Sequence, residues 1–186
     1  MGHLKRIGRR KVYEGGIVDL YKDTVELPSG KIEEWDYVHH KKGAGACIVP
    51  VTEDGRILMI RQMRPVFSQA PQLELPAGAR DDVSEDLMLT AKRELEEETG
   101  YTCEQMTKLV TISSAAAYCN ECTHIYLASP AVRNSSQHLD EAEDIAAELF
   151  SLKDLLTMIF NGEITDGKTV AGILAYKAFL DKQDPA

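Results

Sequence analysis

Residues 85–101 read Glu85-Asp86-Leu87-Met88-Leu89-Thr90-Ala91-Lys92-Arg93-Glu94-Leu95-Glu96-Glu97-Glu98-Thr99-Gly100-Tyr101. Leu87, Met88, Ala91 and Leu95 recur at spacings of three and four, which lays one apolar stripe along a helix and predicts that element over 85–99. Ser84 stands where an N-cap is expected, Glu85 and Asp86 suit the positive end of the helix dipole, and Gly100 is placed to end the helix. Glu94, Glu97 and Glu98 fall at i, i+3 and i+4, so their carboxylates project about one turn apart from a face other than the apolar stripe. Like charges this close destabilise an isolated helix and raise one another's pKa unless cations sit between them. Hard divalent ions favour such oxygen ligands, and magnesium commonly bridges carboxylates to substrate phosphates. Arg93, four residues before Glu97, can pair with it and help hold the set. The alternative for such a run alone is a solvated acidic face.

Upstream, the chain reads as β-structure. Residues 16–40 alternate apolar and polar positions on either side of Pro28-Ser29-Gly30, the pattern of a hairpin. The apolar runs 44–51 and 56–60 flank Glu53-Asp54-Gly55 and suggest a second hairpin in the core. Leu73-Glu74-Leu75 is expected as a short strand ending at Pro76-Ala77-Gly78. Downstream, strands are expected at 108–113, 123–128 and 147–150, an acidic loop at 138–144, and helices at 152–160 and 167–180, the last beginning at Asp166-Gly167-Lys168-Thr169. This order fits an α+β sandwich with helices outside a mixed sheet.

The bulk properties exclude several classes of function. A length of 186 residues, 44% hydrophobic, suits one core and is short for two domains, so 1–186 is read as one domain. No apolar run approaches the roughly 18 residues of a membrane span, and the basic segment 1–11 lacks an apolar signal core, so a soluble cytoplasmic protein is expected. The formal charge of −9 repels nucleic acid and anionic membrane alike, and neither is an expected partner. A phosphorylated ligand would then need local arginines or bound metal. Cys47, Cys103, Cys119 and Cys122 are too few and too irregular for a disulfide framework, and the pair Cys119/Cys122 has only His124 nearby as a third zinc ligand, so zinc is not expected.

The run from Glu85 through Arg93-Glu94-Leu95-Glu96-Glu97-Glu98-Thr99-Gly100-Tyr101, preceded by Leu75-Pro76-Ala77-Gly78, resembles the Nudix box, G-x5-E-x7-R-E-U-x-E-E-x-G-U with U a bulky apolar residue. Every fixed position from Glu85 to Tyr101 matches. Six residues instead of five separate Gly78 from Glu85, so either the loop 79–84 is one residue longer or Ala79 replaces the glycine; the insertion is the preferred reading. The resemblance extends over about 13–181 and is strongest to the ADP-ribose pyrophosphatase branch. It implies a Nudix-type α/β/α sandwich, with a core at 41–181 and an additional N-terminal antiparallel sheet at about 13–40 through which two copies form a homodimer.

The same resemblance implies roles for particular residues. Glu94, Glu98, the carbonyl of Ala77 and Glu143 would hold Mg2+, with Mn2+ as a substitute. Arg64, within Arg61-Gln62-Met63-Arg64-Pro65, would contact substrate phosphates, with Arg61 beside it; a guanidinium fork suits phosphate oxygens. Trp35, the only tryptophan, would stack on adenine, its alternative being a half-buried core residue. In the acidic loop Glu141 is the better match to a base that activates water and Glu143 to a metal ligand, with either open as the base and Glu97 the next candidate. The implied reaction is hydrolysis of a nucleoside diphosphate sugar, ADP-ribose first, to AMP and ribose 5-phosphate. Ala115-Ala116-Ala117-Tyr118 stands where that branch usually carries a proline-glycine pair, which leaves another diphosphate-linked substrate as the alternative. A non-catalytic nucleotide-binding module is the reading from outside enzymes, and the retained glutamates argue against it.

Overall fold

The strand β4 (Ala44–Pro50) is buried along nearly its whole length, as a strand covered on both faces must be. It runs parallel to β10 (Cys122–Ala128), with Ala44 opposite Cys122 and Pro50 opposite Ala128. β9 (Met106–Ser113) pairs antiparallel with the free edge of β10, and β7 (Ala77–Ala79) with that of β4, giving the order β7-β4-β10-β9. This computed structural model describes residues 3–67, 70–139 and 144–183.

Alternation along the central pair divides the interior into two layers. Ala46, Ile48, Tyr126 and Ala128 pack against Ala91 and Leu95 of α1 (Leu87–Thr99). Cys47, Val49, Ile125 and Leu127 face the other way, against Ile173 and Tyr176 of α3 (Gly167–Gln183) and Leu155 of α2 (Leu152–Phe160). A second sheet, β12 (Ile145–Phe150), β5 (Ile57–Gln62) and β6 (Gln72–Glu74), adds Ile57, Met59 and Leu73 to the latter core. A two-stranded ribbon joins β8 (Tyr101–Thr102) to β11 (Val132–Arg133). Helices thus cover both sides of a sheet layer, the expected α+β sandwich. None of the described helices is long and apolar enough to cross a membrane.

The expected first hairpin is β2 (Val18–Glu26) with β3 (Ile32–His40), and it gains a third strand, β1 (Lys5–Glu14). Nearly all of β1 is exposed, so nothing constrained its residues to alternate and its sequence carries no period-two signal. The second expected hairpin forms only as a turn. Gly55, at φ 80°, donates its N–H to the Thr52 carbonyl at 2.9 Å, but β4 and β5 enter different sheets and meet at the single bridge Val51–Ile57. β4 already has β10 and β7 on its two edges, which leaves no edge for β5.

Helix α1 begins later than Ser84. Asp86 is the N-cap, with extended backbone (φ −67°, ψ 124°) and a carboxylate that accepts the Met88 N–H at 2.8 Å. The Ser84 hydroxyl instead donates to Asp82 at 2.5 Å within the preceding loop. Gly100 ends the helix as expected. Its φ of 73° is left-handed, and a Cβ there would lie 2.4 Å from the Ser135 carbonyl oxygen. Asp86→Ala is expected to lower unfolding stability by about 1 kcal/mol, whereas Ser84→Ala stays within about 0.5 kcal/mol, as read from urea midpoints at unchanged slope.

Candidate active site

The segment 74–79 is sewn to three neighbours. The Leu75 N–H donates to Thr169 Oγ1 of α3 at 2.9 Å, the Pro76 carbonyl accepts the Ile48 N–H of β4 at 2.9 Å, and the Ala77 N–H donates to Glu98 Oε2 of α1 at 2.9 Å. Glu94 and Glu98 are 8% and 2% exposed, although both are carboxylates. An ideal Cβ on Gly78 would fall 2.1 Å from the carboxyl carbon of Glu94, so the glycine leaves space that any side chain would fill. Gly78 is therefore the glycine that this helix face requires, and the additional residue belongs to the loop 79–84, as the insertion reading had it.

Arg93 sits among the carboxylates. Its Nη1 donates to Glu94 Oε1 at 2.8 Å and to Glu97 Oε2 at 2.9 Å, its Nη2 to the Ala79 carbonyl at 3.2 Å. Its Nε lies 3.5 Å from Asp81 and 3.7 Å from Glu85. Burial alone would lower the guanidinium pKa, but Glu94 and Glu97 outweigh it and the group is held above its ordinary value. One arginine cannot balance Glu85, Glu94, Glu97 and Glu98. Glu94, buried against the bare backbone at Gly78, and Glu98 one turn on are oxygen donors of the kind that suits a hard divalent ion, and among the described residues no third His, Cys, Asp or Glu side chain joins them in a metal-binding group.

Ala77, Gly78 and Ala79 line a cavity of 660 Å³ that Arg64, Lys168 and Glu121 also line. That volume is in the ordinary range for small-molecule sites, about 300–1,000 Å³. Arg64 shares this cavity with the backbone of 77–79, whereas Arg93, Glu94, Glu97 and Glu98 stand behind that backbone and are not among its lining residues. Glu74 clamps Arg64 through two hydrogen bonds, to Nε at 2.9 Å and Nη2 at 2.8 Å. Arg61 does not line the cavity. On β5 its Nε donates to Glu148 of β12 at 2.7 Å, a cross-strand ion pair. Trp35 lies on β3, 41% exposed, with its indole N–H on Glu33 at 3.1 Å, and it too is outside the cavity lining.

Glu141 and Glu143 lie outside the described residues. The described flanks of their loop are tied to the end of α1: the His138 N–H donates to the Glu97 carbonyl at 2.9 Å, and Gln137 Nε2 to the carbonyls of Glu98 at 2.6 Å and Ile145 at 3.3 Å. The segment 115–118, where the proline-glycine pair is missing, closes a turn of its own, with the Tyr118 and Cys119 N–H groups both on the Ala115 carbonyl.

Glu74, Asp166 and Lys168 were not read as site residues. The available signal was an acidic residue inside an apolar strand, Leu73-Glu74-Leu75, together with a lysine immediately after the Asp166-Gly167 helix start.

Comparison with known proteins identifies the family. The NUDIX domain pattern matches residues 41–172. The chain is 35% identical over 170 residues to an ADP-ribose pyrophosphatase of Bacillus subtilis (strain 168), covering 91% of this chain and 90% of that protein. It is also 35% identical over 170 residues, with the same coverage, to the methanol dehydrogenase activator of Bacillus methanolicus. A crystal structure described as an ADP compounds hydrolase superposes with a TM-score of 0.85 over 98% of this chain and 97% of that one, at 19% identity, which is a likeness of fold. With the pattern spanning well over half the residues and containing the whole of the helix that buries Glu94 and Glu98, the chain belongs to the NUDIX domain family and is a Nudix hydrolase.

Proposed function

We propose that this hydrolase is a cytoplasmic enzyme that cuts the diphosphate bond of a nucleoside diphosphate sugar, with ADP-ribose as first substrate and AMP and ribose 5-phosphate as products. The observation that carries the reading is one cavity lined both by the backbone at Gly78, against which Glu94 is buried, and by Arg64 and Lys168. A diphosphate resists attack because its charge repels a nucleophile, so its hydrolysis calls for positive charge and an oriented water. The similarity to an ADP-ribose pyrophosphatase along most of both chains supports ADP-ribose.

Glu94, Glu98, the Ala77 carbonyl and Glu143 are the oxygen donors we assign to Mg2+, with Mn2+ as a substitute, and such an ion supplies positive charge against the diphosphate. Arg64 binds phosphate oxygens with the donors that Glu74 leaves available. Arg93 orients Glu94 and Glu97. Glu141 or Glu143 accepts the proton of the attacking water, and Glu97, more exposed than Glu94 or Glu98, is the next candidate for that role. Trp35 stacks on adenine. Because Trp35 stands apart from the cavity lining of its own chain, this role calls for a homodimer in which the N-terminal sheet of one copy faces the cavity of the other. Leu4, Ile7, Val12 and Tyr13, all exposed on or beside β1, support such a surface.

Activity towards ADP-ribose is expected to disappear in excess chelator and to return with Mg2+ or Mn2+; full activity in chelator would rule the mechanism out. Glu98→Gln should abolish turnover except at much higher metal concentration, since a neutral amide is a poorer ligand. The proton acceptor should lose about 10²-fold to 10⁴-fold in kcat as its Gln variant while metal activation stays normal. Metal titrations of Glu98→Gln, Glu141→Gln and Glu143→Gln separate these patterns, and near-normal kcat in both loop variants would move the base to Glu97. Trp35→Ala should raise KM for adenine-containing substrates more than it lowers kcat, because stacking acts on ground and transition states alike; an unchanged KM would make Trp35 structural only.

A further inference from the structure

Two cations that line the cavity share one buried carboxylate behind its wall. Glu74, 2% exposed, accepts the Arg64 fork at 2.9 and 2.8 Å and Lys168 Nζ at 2.5 Å, and Lys168 also donates to Asp166 at 3.0 Å. Burial pushes the Glu74 carboxyl up, but Arg64 and Lys168 outweigh it and hold it below the usual carboxylate range. Burial likewise pulls Lys168 down, and Asp166 and Glu74 outweigh that, so the ammonium remains charged. Glu74 and Asp166 together match the charge of the two cations, but they do not occupy all the N–H donors. Lys168 has three N–H donors, of which Glu74 and Asp166 take two, and Arg64 has five, of which Glu74 takes two. Both side chains therefore keep donors while lining the same cavity.

The backbone around this trio is locked. Asp166 accepts the Thr169 N–H at 3.0 Å and its hydroxyl at 2.6 Å, and Thr169 Oγ1 accepts the Leu75 N–H, which joins the start of α3 to the residue after Glu74. The four residues 166–169 are thus more than a helix start: they set the height of Lys168 against Glu74. An ion pair that served stability alone would gain nothing from being held open on a cavity wall, because burying charge offers little net stabilisation.

We propose that Lys168 is a second phosphate-contacting residue beside Arg64, and that Glu74 is the positioning residue that aims both cations at the diphosphate. This rests on reading the cavity as a diphosphate site. Arg64 offers a planar fork and Lys168 a point charge, which suits two neighbouring phosphate groups.

The test is calorimetric titration of ADP-ribose and, separately, inorganic pyrophosphate into the wild type, Lys168→Met, Lys168→Gln, Lys168→Arg and Glu74→Gln in excess chelator, with unfolding midpoints recorded alongside. Lys168→Met is expected to weaken both ligands by about tenfold or more, with Lys168→Arg recovering most of the loss. Lys168→Gln, which can still donate to Glu74, should bind as weakly as Lys168→Met and serves if the latter does not fold. Glu74→Gln should also weaken binding, although it removes a negative charge that simple electrostatics would have it gain from. Wild-type affinity in Lys168→Met or Lys168→Gln, whatever the unfolding midpoint, would overturn the role of Lys168, and tighter binding by Glu74→Gln would overturn the positioning role. A wild type that binds pyrophosphate but neither binds nor hydrolyses any nucleoside diphosphate sugar would sink the substrate reading and leave the Lys168 comparison to stand on pyrophosphate. Binding of neither ligand by the wild type overturns the proposal as well.

Discussion

Burying two carboxylates one helical turn apart is costly, and much of the chain around α1 is arranged to sustain it. Glu98 finds the Ala77 N–H, Glu94 finds the Arg93 guanidinium and a backbone stripped of its side chain at Gly78, and Arg93 is itself braced by the Ala79 carbonyl. The contacts to Ala77, Gly78 and Ala79 would be lost if the segment 74–79 were displaced by an ångström or two. That segment is held from its other side by Thr169 and by β4, so the apolar packing of α1 and α3 on opposite faces of one sheet is what keeps the charged corner closed.

The chemistry of the site is a contest between signs. The chain as a whole is acidic, and the helix concentrates that charge, yet the proposed substrate is a polyanion. The cavity meets this by setting two cations, Arg64 and Lys168, among its lining beside Glu121 and Asp166. Arg64 and Lys168 both face Glu74, and Asp166 takes a further donor of Lys168, yet each cation keeps N–H donors that these carboxylates do not use. Pairing here orders the cations without silencing them.

How far the sequence could be read depended on whether burial forced a pattern. The stripe Leu87, Met88, Ala91, Leu95 and the spacing of Glu94, Glu97 and Glu98 were legible because helix geometry leaves few alternatives to that period. The strands β4 and β10 were legible as apolar runs, but their parallel pairing was not, since a run buried on both faces does not say which neighbour it takes. The turn at Glu53-Asp54-Gly55 was legible and misled, because a local turn does not determine whether the flanking strands share a sheet. β1 lacked a signal for the opposite reason, being exposed on both faces. Glu74 and Lys168 come together across 94 residues, a juxtaposition no local spacing encodes. The cap shifted from Ser84 to Asp86 because both residue types can cap and only backbone geometry chooses between them.

The parallel pairing of β4 with β10 also bears on how the chain acquires its structure. Cys47 lies opposite Ile125, 78 positions further along (125 minus 47), and the stretch between them holds β5, β6, β7, α1, β8 and β9. Pairings at such separations carry a large loop-closure cost before any contact rewards them, which slows folding. During synthesis, β4 emerges with its apolar residues and both edges uncovered, and it must wait for most of the domain to follow. The glutamate corner cannot assemble on α1 alone either, because the backbone it leans on is held by β4 and by Thr169 of α3, which is made after β10. The interval before β10 docks is when the nascent chain is most open to edge-to-edge association with another copy.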